Sequence, residues 1–339
     1  MRRIVIILTI SASLYPCFAG INGSVRIAAI RVSFLEDDSP GTTGNGSFLL
    51  NAPIDTCGRY TIDPVPHDRS YFESQLLAVN NYFRSVSYGK FGLDLDQSIV
   101  FPLSDTNSYV LPKKMDYYHP YNQTDIHDQR VTELFRDALE TAYNDDQIDF
   151  SNFDHVVIFH AGIGQDFSLP FLDPTPEDIP STFIDGDMLQ EFVGGLLEFG
   201  AATINQGIIL PETQNHLFYQ ESENIFLDAE EPCDYQYGLT GTFALMLGFA
   251  IGLPPLWDTN SGQSGIGIFG LMDQGSNNGR GLIPAPPDAW SRKFAGWESP
   301  SIAVPSKMIN LPSRSENNLV QIPINETEYF LIENRTNWY

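Results

Sequence analysis

Apolar and polar positions along the chain follow two periods, and the switches between them divide it into elements. Val25 to Phe34 is a run of β-branched and apolar residues and predicts a first strand. Residues 36–49 are rich in Gly, Ser and Asp and read as a loop. Ser70-x-x-Glu73 is a capping-box pattern, which predicts a helix from there to about Val86. Leu93 to Phe101 reads as a strand. Between Asp125 and Tyr143 the apolar residues Ile126, Val131, Leu134, Phe135 and Leu139 fall at helical spacing after an acidic start. His155 to His160 predicts a short buried strand ending in Ala161-Gly162, and odd spacing on a strand puts these two histidines on opposite faces. Residues 169–187 are acidic and Pro-rich, which suggests a surface loop. Gly207 to Leu210 reads as a short edge strand, Leu239 to Leu253 as an apolar helix, and residues 317–334 as two strands. The chain has no internal repeat and no low-complexity linker. This order predicts a single domain of α+β or α/β type.

The apolar helix sits inside 23 uncharged residues between Asp234 and Asp258 and contains Gly248-x-x-x-Gly252, a pattern found where membrane helices pair. Pro254 and Pro255 stop it. The 15 residues from Leu239 to Leu253 reach about 22 Å at ~1.5 Å per residue, short of the ~30 Å core of a bilayer. A buried core helix is therefore predicted. Its surface carries no chemistry. A zinc-protease helix needs two His at i and i+4, so that both rings meet one metal, and a Glu beside the first as general base. Here those positions are Leu245, Phe249 and Met246.

The sequence around the helix gives that absence its meaning. Gly-Leu-Pro-Pro-Leu-Trp-Asp-Thr at 252–259, Ser-Gly-Ile-Gly-Ile-Phe-Gly-Leu-Met-Asp at 264–273, Pro284 to Trp290 and Gly296-Trp297 together resemble the immune inhibitor A family of secreted zinc metallopeptidases. Tyr82 to Lys90, His155 to Gly164 and Tyr329 to Arg335 extend the likeness over most of the chain. Family members read His-Glu-x-x-His-x-x-Gly-x-Pro-Asp followed by a Met-turn. Aligned on Gly252 and Pro254, the resemblance places the three zinc ligands at Leu245, Phe249 and Pro255, the general base at Met246 and the Met-turn at Met272. It implies a zincin-like fold, a twisted mixed sheet with the motif helix central beneath a cleft, and a degenerate member of the family. Two His and a Glu without a metal would be unpaired buried polar groups at ~1–3 kcal/mol each. Leu, Met and Phe would contribute ~1.5–3 kcal/mol each on burial. The expectation is a filled, dry site, with Leu245 and Phe249 buried and Phe249 near Met272.

Composition narrows the function. Met1-Arg2-Arg3 and the apolar run Ile4 to Ala12 read as a signal peptide spanning residues 1–20, with cleavage near Ala19 or Gly20. Its loss takes the formal charge from −25 to −27, because Arg2 and Arg3 leave with it. Such a charge argues against nucleic acid and anionic membranes as partners. Cys17 falls in the leader, so Cys57 and Cys233 remain as a candidate disulfide in an exported chain. Asp185-Gly-Asp187 with Glu191 has some Ca²⁺ character, weighed against a solvated loop. Gly265-x-Gly267-x-x-Gly270 matches a dinucleotide fingerprint in letters but lacks the strand before and the helix after. No Gly-x-Ser-x-Gly elbow occurs.

These readings converge on an exported α+β protein. A metallopeptidase-like region covers residues 21–300, and residues 301–339 supply its last strands or begin a following region that continues past Tyr339. The expected activity is non-catalytic binding of a peptide or protein in the vestigial cleft, without zinc and without a membrane span, and with structural calcium as an option. The competing reading is an active secreted endopeptidase with unusual ligands, such as His160 with His216 or acidic loop residues.

Overall fold

The computed structural model describes residues 20–51, 61–167, 175–216, 236–313 and 318–335. Residues 1–19, both candidate disulfide cysteines (Cys57 and Cys233) and Tyr339 lie outside them, so the leader, the disulfide and the continuation of the chain are not addressed by the structure.

The described residues form an α+β fold of thirteen strands and six helices. In chain order these are β1 (Gly23–Val25), β2 (Ile27–Ser33), α1 (Arg69–Val86), β3 (Phe91–Leu93), β4 (Ile99–Phe101), β5 (Tyr109–Val110), α2 (Met115–Tyr118) and α3 (His127–Asp146). There follow β6 (His155–Ile163), β7 (Thr182–Ile184), α4 (Gly186–Phe192), β8 (Leu197–Phe199), β9 (Ala202–Ile204), β10 (Gly207–Thr213), α5 (Thr240–Ala250), α6 (Ala289–Phe294), β11 (Ser301–Ile302), β12 (Leu319–Pro323) and β13 (Tyr329–Glu333).

The centre is a six-stranded sheet ordered β4-β2-β6-β10-β7, with β5 also paired to β2. All pairs are parallel except β10 with β7, which puts one antiparallel strand at the edge. Strands β2 and β10 are buried along their whole length, and β6 is buried beyond His155. This agrees with the continuous apolar runs that a sheet covered on both faces requires. The two covering layers can be told apart by ring contacts. Phe159 on β6 meets Phe72 of α1 and Phe243 of α5, so α1 and α5 share one face. Leu210 pairs with Phe159, and Gly207, an odd number of residues away, faces the other side. A Cβ on Gly207 would lie 2.2 Å from the Phe135 ring, so α3 covers that second face.

Several predicted elements shift for identifiable reasons. Helix α1 starts one residue before Ser70 because Asp68 takes the cap, accepting from Tyr71 N at 3.1 Å and from Ser70 Oγ at 2.8 Å. The strand expected over Leu93 to Phe101 is two strands. A turn at Asp94 separates them, with its carbonyl bound by Gln97 N and Ser98 N. Strand β10 is internal rather than at the edge, because the acidic Pro-rich stretch read as loop contributes β7 beyond it. At the chain's far end β11, β12 and β13 form a separate sheet. Buried Arg292 of α6 holds it, pairing with Glu298 at 2.8 Å and with Glu333 of β13 at 2.6 Å.

Close backbone approach at the start of α5 gives a direct check. Gly241 N donates to Gly281 O at 2.7 Å, and a Cβ added at Gly241 would lie 2.0 Å from Ser276 O. Backbone cannot yield as a side-chain tip can. Gly241→Ala is expected to cost about 1–3 kcal/mol by overpacking, read by chemical denaturation. A loss within ~0.5 kcal/mol would contradict this packing.

Candidate functional site

Helix α5 is held at both ends by features other than metal ligands. At its start the Leu239 amide donates to Asp63 Oδ2 at 2.8 Å. At its end Gly252 adopts φ +94°, its amide donates to Phe249 O at 2.9 Å, and Leu253 N donates to Gly248 O at 2.9 Å. This is a glycine-terminated helix end of the Schellman type. The Gly248-x-x-x-Gly252 pattern thus divides into two separate roles. Gly252 ends the helix, and Gly248 lets the fully buried Met272 lie against it, its sulfur 2.6 Å from where a Cβ would stand. Among the described residues no helix is long and apolar enough to cross a membrane.

The filled, dry site expected from the sequence is not what the structure contains. Leu245, Met246 and Phe249 are half-buried, as is Pro255. Leu245 and Met246 line a pocket of about 250 Å³ together with Asp166, Thr242, Trp257, Asp273, Gln274 and Ser276. Phe249 lies against Trp257 and Phe183, with ring centroids at 5.6 and 6.0 Å, and the residue seated on Met272 is Gly248. Burial stops one layer lower than predicted. The layer with Leu247, Gly248 and Met272 is closed, and Leu245 and Met246 above it face the pocket.

Zinc does not fit these side chains. Leu245 and Phe249 have no donor atom, Pro255 has no carboxylate, and the Met246 thioether is a soft ligand suited to Cu(I) rather than Zn²⁺. The other candidate ligands are used differently. His160 is fully buried on β6, and its Nδ1 lies 2.8 Å from the Ala161 carbonyl, to which it donates. Burial first of all brings its pKa down to about 4. His216 is half-buried just beyond β10. Among the described residues no three of His, Cys, Asp and Glu are grouped to hold a metal. Asp185 is the N-cap of α4, accepting from Met188 N at 2.9 Å, while Asp187 and Glu191 are exposed on that helix.

The polar wall of the pocket is organised by Asp273, only 5% exposed. Its Oδ2 accepts from Ser264 Oγ at 2.9 Å and from the amides of Gly265, Ile266 and Gly267, each at 2.8 Å. Its Oδ1 accepts from Gln274 N at 2.8 Å. The loop that spells a dinucleotide fingerprint therefore turns its amides onto a carboxylate of its own chain, where a nucleotide site would turn them onto phosphate. Gly265 is required there, since a Cβ would sit 2.2 Å from Leu256 O. Desolvation acts to raise the Asp273 pKa, but the hydrogen bonds from Gly267, Ser264, Ile266 and Gln274 outweigh it and hold the carboxyl below its ordinary value.

Sequence reasoning missed a buried polar group under the start of α5. His67 and Glu212 are fully buried, with Nδ1 and Oε2 at 2.9 Å, and His67 Nε2 lies 2.9 Å from the Asp63 carbonyl. Burial opposes the charged form of His67, but the bond to Glu212 and the charges of Glu212 and Asp63 prevail and raise its pKa. Glu212 also takes the amides of Leu49 at 3.0 Å and Gly162 at 2.9 Å. Pro211-Glu212-Thr213 gave no motif. The one available signal was a carboxylate at the end of an otherwise apolar strand.

Compared with family models and with curated proteins, the sequence matches none.

Two outcomes follow from this geometry. Asp273→Asn should lower stability by about 1–3 kcal/mol near neutral pH, because an amide nitrogen then faces the Gln274 amide. A carboxylate with a depressed folded pKa contributes fully above its unfolded value near ~3.9 and less as pH falls through the folded one. The difference between wild type and variant should therefore be flat from pH 8 to about 5 and shrink below about pH 4. A pH-independent difference in urea midpoints would contradict the assignment. Phe249→Ala, half-buried rather than buried, should cost about 1–2 kcal/mol, less than the ~3–5 kcal/mol of a core cavity. A cost in the core range would mean that the upper layer is closed.

Proposed function

We propose that this chain is an exported, metallopeptidase-like protein of immune inhibitor A type that binds a peptide segment in the pocket above α5 and does not cleave it. One observation carries the reading. The positions where a zinc-peptidase helix presents its first ligand and its general base, Leu245 and Met246, form the apolar floor of an open pocket. A mixed sheet with an antiparallel edge strand, an apolar helix beneath a pocket, Met272 packed under that helix and a glycine ending it all support the resembled scaffold. The export part of the proposal rests on the pattern of residues 1–20.

The pocket fits one apolar side chain flanked by polar groups. Leu245, Met246 and Trp257 supply the apolar surface, and Thr242, Gln274, Ser276 and Asn277 supply the hydrogen-bonding rim. The floor side chains Leu245 and Met246 can neither activate water nor polarise a carbonyl. Of the two carboxylates in the lining, Asp273 is held by the 264–267 loop and the Gln274 amide, and Asp166 accepts from Ser181 and Gln214. Binding without turnover is the reading that this lining supports.

Purified full-length protein is expected to contain no stoichiometric zinc by elemental analysis and to leave casein intact. It should retain peptides from a random library that share one apolar anchor residue. Leu245→Trp, which fills the pocket from a half-exposed position, should abolish retention while leaving the thermal midpoint within a few degrees. One equivalent of tightly held zinc with chelator-sensitive proteolysis would overturn the non-catalytic reading. A wild-type protein that retains no peptide would overturn the binding role.

A further inference from the structure

The sequence contains Asn22-Gly-Ser24, Asn45-Gly-Ser47, Asn122-Gln-Thr124 and Asn325-Glu-Thr327, four matches to the acceptor pattern for N-linked glycosylation. A fifth, Asn334-Arg-Thr336, ends outside the described residues and is left aside. The fold puts all four acceptors on the surface: each is exposed and each lies outside helix and strand. Asn22 immediately precedes β1, and Asn45 sits between two glycines with positive φ, Gly44 at +70° and Gly46 at +88°. Asn122 itself has φ +59° in the turn before α3, and Asn325 forms the turn joining β12 to β13. The buried asparagines make the contrast. Asn80, Asn215 and Asn318 are followed two residues later by Tyr82, Leu217 and Val320, so none carries the pattern.

Two of the sites also have the local geometry that joins acceptor to hydroxyl residue. Asn325 Oδ1 accepts from Thr327 N at 2.9 Å and from Thr327 Oγ1 at 3.2 Å, and Asn45 Oδ1 accepts from Ser47 N at 3.2 Å. These are Asx turns. They bring the residue at i+2 against the amide that would be modified.

We infer that Asn22, Asn45, Asn122 and Asn325 are N-glycosylation sites of this protein, an inference that rests on the export reading of residues 1–20. The donor is an oligosaccharide linked to a lipid pyrophosphate. The asparagine Nδ2 bonds to C1 of the first sugar, the bond from C1 to the pyrophosphate oxygen breaks, the amide nitrogen loses one proton, and the lipid pyrophosphate leaves. No redox change is involved. The placement has two consequences. None of these four asparagines lines the pocket above α5 or the larger groove beside α1, which Asn334 does line, so glycans at the four positions leave both open. The glycan on Asn325 stands beside Ile324 and near the paired strand carrying Phe330, 55% and 62% exposed, and shields apolar surface that a bare chain would present to neighbours.

The test expresses the full chain in a eukaryotic secretory host in two forms, one with its own residues 1–20 and one with a proven leader in their place. Medium and microsomal fractions are digested with peptide N-glycosidase F. In an Asn334→Gln background, which removes the fifth pattern, the expected result is a mobility shift with four steps on partial digestion, and mass spectra in which all four asparagines read as Asp after release. An Asn→Gln change at each site should remove one step. If only the form with the proven leader is shifted, the export reading fails and the acceptor assignment stands. Chains recovered from microsomes or medium with either leader and with unmodified asparagines would overturn the assignment.

Discussion

Glu212 is the constraint from which the arrangement of the site follows. It lies at the end of a fully buried strand and has no access to solvent, so its carboxyl oxygens must find their partners within the protein. They are met by His67 and by the Leu49 and Gly162 amides, and the Asp63 carbonyl takes the second nitrogen of His67. The partners come from three parts of the chain: His67 and Asp63 from the loop before α1, Gly162 from the end of β6 and Leu49 from the segment after β2. Removing one would leave a buried polar group short of a hydrogen bond, at a cost of about 1–3 kcal/mol. The group therefore acts as a clamp. It continues to α5, because the Asp63 carboxyl, its pKa raised by burial against the opposing bonds from Leu239 and Gln75, receives the amide of Leu239, the residue just before that helix.

In a metal site, ligands would give α5 its register with the loops around it. Here backbone contacts and carboxylates do so. Asp63 fixes the start, Gly241 and Gly248 admit the Ser276 backbone and Met272 at distances that no side chain would allow, and Asp273 draws the 264–267 loop in with one oxygen. This explains how the upper layer can tolerate Leu, Met and Phe without collapsing. The helix is held from below and from the side, while Leu245, Met246 and Phe249 pack against the core on one side only.

Much of the fold was legible because it depends on period. The runs that became β2, β6, β10, α1, α3 and α5 are long and strongly patterned, and each appears within a few residues of its predicted place. Strand β7 was hidden because its three residues sit in acidic, Pro-rich sequence and gain their structure only by pairing with β10. The polar clamp was hidden for a related reason. Asp63 and His67 lie four residues apart, but Glu212 is 145 residues beyond His67, and only the topology brings it to them. Burial at the ligand positions was misjudged because residue type reports what a side chain tolerates, not whether a neighbour arrives to cover it. Leu245 and Leu247 look alike in the sequence. One faces the pocket and the other the core, and helical geometry alone separates them.

That separation bears on why the pocket stays open. If apolar residue type alone decided burial, the helix would sink until Leu245 and Phe249 were covered, since fully burying such a side chain from water contributes up to ~1.5–3 kcal/mol. The helix has not sunk. Gly248 already stands against Met272, and Gly241 already touches the Ser276 backbone, so no closer approach exists. The open layer is thus a fixed consequence of the glycines beneath it, and the apolar residues above them line a concavity they cannot close. A concave apolar floor with a polar rim is the kind of surface that binds a side chain. For the peptide-binding role proposed above, a chain of net charge −25 favours a neutral or basic segment over an acidic one.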